Sequence, residues 1–95
     1  MSSVKIMPIF GGMMLYNHST GVFLVWKEAT KFTEALLCGD DTALSNWQVH
    51  FNYDDGQIEM TPRDDGEDII IPFEDTIMIV RTILRIRRNL VIHEN

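Results

Sequence analysis

Between Trp47 and Ile71 the apolar side chains alternate with polar ones, and a period of two fits an extended chain with one buried face. Trp47, Val49, Phe51 and Tyr53 take one side, while Gln48, His50 and Asn52 take the other. Asp54-Asp55-Gly56 follows, where short polar side chains and a glycine suit a tight reversal. Ile58 and Met60 carry the alternation back as far as Pro62, which lacks the N–H that a further ladder bond would need. A second acidic turn runs from Arg63 to Asp68 around Gly66. Ile69-Ile70-Ile71 then forms a third strand, apolar enough for burial on both faces. The spacing predicts a three-stranded antiparallel meander.

Val4 to Phe10 is β-branched and apolar and is ended by Gly11-Gly12, so it is predicted to be a strand, with Met13 to Tyr16 pairing beside it. Asn17-His18-Ser19-Thr20-Gly21 has the composition of a turn. The next segment has two readings. Val22 to Trp26 is a continuous apolar run, yet Val22, Val25, Trp26, Ala29, Phe32, Ala35 and Leu36 also recur at helical spacing. The reading adopted is a strand over 22–26 that passes into a helix over 27–38, stopped by Gly39.

A second helix is predicted over 74–90, with Ile77, Val80, Ile83, Leu84 and Leu90 on its apolar face. Glu74 and Asp75 stand in its first turn, and Arg81, Arg85, Arg87 and Arg88 in its later ones, a distribution that complements the helix dipole. The fold class expected is α+β. It comprises a small antiparallel sheet, made of the N-terminal hairpin-like segment and the three-stranded meander, with two helices packed on one face.

Ninety-five residues suit a single domain spanning 1–95, and a chain this short buries a limited share of its surface. Self-association, as a homodimer, would be an ordinary way to add burial. Cys38 is the only cysteine, which excludes an internal disulfide and suits a reducing compartment. Beside Leu36 and Leu37, it reads as a buried thiol. No apolar run approaches the roughly 20 residues that span a bilayer. Pro8 and Gly11-Gly12 break up the N-terminal apolar stretch, so neither a membrane span nor a signal peptide is expected. The cytoplasm is the expected location, the host's if the chain is phage-encoded.

Calcium loops need oxygen ligands at positions one, three and five, and glutamate at twelve. Placing Gly56 or Gly66 at position six puts Phe51 or Thr61 at position one and Pro62 or Pro72 at position twelve. His18, His50 and His93 lie in separate segments, and no second cysteine completes a zinc set. Gly11-Gly12 lacks the lysine or third glycine of a phosphate loop. No nucleophile elbow occurs, and acids in exposed turns make poor general acids. His50, on a polar strand face, is expected to be solvated or hydrogen-bonded. No catalytic residue, metal or cofactor is assigned, and binding is expected in place of catalysis.

Charge supplies the functional reading. Residues 1–39 carry three lysines and two glutamates, while residues 40–75 carry eleven acids against Arg63 alone, a net of −10. Residues 76–95 carry four arginines against Glu94, within a total of −6. The candidate partner-binding residues are Asp40, Asp41, Asp54, Asp55, Asp64, Asp65, Glu67 and Asp68, all in turns. Successive turns of a meander lie at opposite ends, so these acids would rim the sheet unless the fold gathers them.

They suggest an inhibitor that blocks a basic surface on a larger protein, for instance one that handles nucleic acid. Phage-encoded anti-CRISPR and DNA-mimicking anti-restriction proteins are comparable in size and acidity, a comparison of composition only. The alternatives use other surfaces. Five internal methionines with Trp26, Trp47 and Phe10 offer adaptable apolar surface, mostly as core. An exposed Met13-Met14-Leu15-Tyr16 would be a docking edge or dimer seam, in the manner of secretion chaperones or immunity proteins.

Arg81, Arg85 and Arg88 fall on one stripe that would suit phosphate. The helix–meander–helix order is similar to the topology of double-stranded RNA-binding domains. Their second helix begins with a basic cluster, however, where this one begins Glu74-Asp75. The net charge also disfavours nucleic acid.

Overall fold

The computed structural model describes residues 4–18 and 20–94, with side chains through Asn89. The chain adopts the expected α+β architecture, its strands divided between two antiparallel sheets. The first sheet is a meander of β1 (Val4–Ile9), β2 (Gly12–Asn17) and β3 (Thr20–Val25). The second has the order β4 (Thr42–Ala43), β5 (Trp47–Asn52), β6 (Gln57–Pro62) and β7 (Ile69–Pro72). Helix α1 (Trp26–Cys38) links the sheets, and α2 (Thr76–Glu94) follows a 3-10 turn over Phe73–Asp75.

Strand alternation decides what each sheet buries. In the second sheet Val49, Phe51, Ile58, Met60, Ile69 and Ile71 point inward and are buried, as the sequence pattern requires. Ile70 faces the other way and is half-buried, so β7 is fully covered on one face only and not on both as its composition suggests. In the first sheet Val4, Met13, Leu15, Val22 and Leu24 are buried. Both sets join one core with Phe32 and Leu36 of α1 and with Ile79, Val80 and Ile83 of α2. Helix α1 packs on β2 and β3, α2 packs on β1, and the helices touch each other. The sheets meet where β2 approaches β7, and there the Asn17 side-chain amide donates to the Ile70 carbonyl.

The ambiguous segment resolves as a strand through Val25 and a helix from Trp26. At the far end of α1, Gly39 takes φ +71°, and its N–H donates to the Ala35 carbonyl at 2.8 Å. That left-handed cap is the stop the sequence predicts. The turn expected over 17–21 is shorter, since β2 continues through Asn17 and β3 begins at Thr20. Ser19 lies outside the described residues.

Four expectations are corrected. Helix α2 buries Ile79, Val80 and Ile83, whereas Ile77 and Leu84 are exposed at 65% and 50%. The buried face is thus centred on 79, 80 and 83, one step round the helix from the expected one, and it keeps Val80 and Ile83 of the expected set. The Leu90 side chain lies outside the described residues. Cys38 is exposed, because it stands two residues, about 200° of helical turn, past buried Leu36. Met13 and Leu15 are wholly buried in a central strand, so Met13 to Tyr16 is no exposed edge. Phe10 is fully exposed at the tip of the β1–β2 turn and belongs to no core.

Candidate protein-binding surface

The outward faces of the two sheets differ in chemistry. On the second sheet the outward residues are polar and bond to one another. His50 stands opposite Glu59 on β6. Its Nδ1–H donates to Asp41 Oδ2 at 2.8 Å, the tautomer that an ionised carboxylate selects. Asp41 Oδ1 accepts the Phe51 backbone N–H at 2.8 Å, which fixes the carboxylate against the sheet. Glu59 Oε2 accepts from Gln57 Nε2 at 2.8 Å and from Asn52 Nδ2 at 3.1 Å. The row Asp41–His50–Glu59 thus crosses three neighbouring segments with an imidazole between two carboxylates.

These contacts shift three titrations. The Phe51 N–H and then the His50 ring hold the Asp41 carboxyl below its usual value. The bond to Asp41 raises His50. Gln57 and then Asn52 lower Glu59. All three side chains face water, so each effect on stability is small.

The signs nevertheless define a window. A raised histidine stabilises fully below its unfolded value near 6.5 and loses the effect as pH rises through its folded value. The lowered carboxylates stabilise above their unfolded values of 3.8 and 4.5 and lose the effect as pH falls through the folded ones. The network contributes most between pH 4.5 and 6.5. Urea denaturation of the wild type and of His50→Gln should therefore differ most in that interval and converge at pH 8.5. A difference that grew toward alkaline pH would contradict the assignment.

The turn acids gather into two groups. Asp40 and Asp41 share one end of the sheet with Asp54 and Asp55. That end is tied by the Tyr53 hydroxyl, which donates to the Gly39 carbonyl, and by the Phe51–Asp41 bond. Asp64, Asp65, Glu67 and Asp68 occupy the other end, between β6 and β7. There the Arg63 N–H donates to the Asn46 carbonyl at 3.0 Å, and Thr20 Oγ1 donates to Glu67 Oε2 at 3.3 Å. A six-residue strand separates the groups by about 17 Å. Asp40, Asp54, Asp55, Asp64, Asp65, Glu67 and Asp68 are all exposed. The eight acids do not converge on a point. They bracket a face whose middle holds Glu59 and His50 among neutral side chains, so the negative charge of this sheet is concentrated at its two ends.

The first sheet is the opposite case. Its register places Ile9, Gly12 and Val25 in one outward row, and Met7, Met14 and Phe23 in the next. Met7, Ile9, Phe23 and Val25 are exposed, and residues 4–27 contain no acid. Arg81, Arg85 and Arg88 stand apart from both sheets, and with Leu84 they line a hollow along α2. The His93 side chain lies outside the described residues. Among the described residues no three histidine, cysteine or acidic side chains cluster as a metal site would require, and no helix is long and apolar enough to cross a membrane.

Sequence reasoning found the turn acids and missed the network between them. Its β5–β6 part had a signal, since a reversal over residues 53–56 sets Asn52 opposite Gln57 and hence His50 opposite Glu59. Asp41 had none, because its place depends on the two-residue strand β4.

The chain matches no protein-family model, no curated protein and no solved structure.

Proposed function

We propose that the chain is a non-catalytic binding module that inhibits a larger protein by covering a basic surface, with the outward side of the second sheet as the contact. The observation that carries this reading is the acidic face itself. Two exposed groups of turn acids, Asp41 among them, lie at opposite ends of one sheet, with Glu59 between them. A rigid sheet presents such charges at fixed spacing, which favours fast encounter with a positive partner and selection against others.

Neutralising one end at a time tests the proposal. Asp54→Asn with Asp55→Asn removes charge at one end, and Asp64→Asn with Asp65→Asn removes it at the other. Each pair should weaken capture of the partner by about tenfold at low ionic strength, and the four changes together should weaken it further. Unchanged affinity in the fourfold variant would refute the electrostatic reading.

A second reading rests on the first sheet. Its outward rows of Met7, Ile9, Met14, Phe23 and Val25 form an apolar face free of acids, and a second copy of the chain is the occupant proposed for it. Face-to-face pairing there would keep the two acidic sheets apart and spare a chain of net charge −6 most of its self-repulsion. Sedimentation over a hundredfold range of concentration should show a dimer that Met7→Ser with Phe23→Ser abolishes. A monomer at every concentration would exclude this reading and leave the acidic face untouched.

A further inference from the structure

The arginine stripe of α2 is not bare charge, because exposed apolar side chains are set into it. Ile77 and Leu84 are 65% and 50% exposed, and across the groove Leu37 of α1 is 68% exposed. The groove between the helices has a volume of 380 Å³, is lined by Leu36, Leu37, Thr76, Ile77, Val80 and Arg81, and is apolar at its base. Arg81 also lines the neighbouring hollow of 310 Å³ with Leu84, Arg85 and Arg88. The two share Arg81, the first lying between the helices and the second along α2 alone. From Ile77 to Arg88 the channel is about 16 Å long, three helical turns. Among the described residues none of the three arginines is paired with an acid.

We propose that this channel is a docking site for an acidic amphipathic helix of a partner protein. Leu37, Ile77 and Leu84 would receive the apolar side chains at i, i+4 and i+7, and Arg81, Arg85 and Arg88 would pair with flanking glutamates or aspartates. Helices bind grooves in this way through an apolar stripe of just that spacing. Charge complementarity selects the class of occupant: three arginines unpaired among the described residues, beside apolar side chains, call for acids beside apolar side chains. Duplex nucleic acid fits less well, because its phosphates would leave Ile77 and Leu84 facing charge. A lipid surface fits less well too, because Leu36, Leu37 and Ile77 line a groove between the two helices and not one convex face. The site is separate from the acidic sheet and does not depend on its role.

The test uses the full chain and three probes: a designed helical peptide with leucine at i, i+4 and i+7 and glutamate alongside, a scrambled peptide of the same composition, and vesicles of phosphatidylcholine with phosphatidylserine. Fluorescence anisotropy should show the helical peptide binding at least about tenfold more tightly than the scrambled one. Ile77→Ser with Leu84→Ser should remove that preference, as should Arg81→Glu with Arg85→Glu, while circular dichroism stays that of the wild type. All four residues are exposed, so these variants are expected to fold. Equal affinity for both peptides, binding indifferent to both variants, or binding to vesicles alone would overturn the proposal.

Discussion

Phe32→Ala is expected to cost about 3–5 kcal/mol, the largest loss of any single truncation considered for this chain. Phe32 is the largest of the wholly buried side chains and sits in the middle of α1, which packs on β2, β3 and α2. Its removal leaves a cavity that neighbours from three elements would have to fill together. A domain of this length has a total stability of roughly 5–14 kcal/mol, so the variant should be near its unfolding transition at ordinary temperature. Urea denaturation measures the loss directly. Phe10→Ala supplies the internal control, since its ring is fully exposed and its loss should change stability by less than about 0.5 kcal/mol. Similar costs for the two changes would mean that α1 does not close the core as described.

Gly12→Ala is expected to rank second, at about 2–3 kcal/mol, through strain and not through a cavity. A Cβ at residue 12 would stand 2.2 Å from the Leu24 carbonyl oxygen and 2.9 Å from both the Val25 Cα and a Phe23 ring carbon. The ring can turn aside, but the two backbone atoms belong to β3, which runs directly into α1 and has little freedom to retreat. Because β2 is the central strand of the first sheet, relief by shifting it would disturb β1 as well. Gly66→Ala is the comparison. An added Cβ there meets the Pro62 side chain at 3.1 Å in an exposed loop that can give way. Thermal unfolding should separate the two clearly, and a Gly12→Ala melting temperature equal to the wild type's would refute the close approach.

The elements readable in the sequence are those whose signals are local. The meander from Trp47 to Ile71 was legible because its alternation, its Asp-Asp-Gly turn and its terminal proline agree with one another. The end of α1 was legible because the left-handed cap at Gly39 is a property of one residue. What escaped depends on long-range packing. Ile77 and Ile79 are equally apolar, and only the approach of β1 and α1 decides which of the two α2 buries. The strand β4 is two residues long, too short for any periodicity, yet it places Asp41 against His50.

The acidic residues show the same division. Their positions in turns were evident, and so was the expectation that alternate turns lie at opposite ends. That Asp40 and Asp41 would join Asp54 and Asp55 was not, since it follows from the Tyr53 and Phe51 bonds to the segment after α1. Cys38 and Phe10 carry a related lesson. Apolar neighbours in sequence say little about burial where a helix ends or a hairpin turns, because the next residue along may face water.

The central claim is that the outward side of the second sheet binds a basic partner through charge. The dissociation constant of the captured complex, measured from 50 mM to 500 mM salt, tests it most directly. Affinity should fall by about tenfold or more over that range, with a shallower dependence when Asp54, Asp55, Asp64 and Asp65 are all asparagine. An affinity independent of salt, and equal for the two proteins, would contradict it.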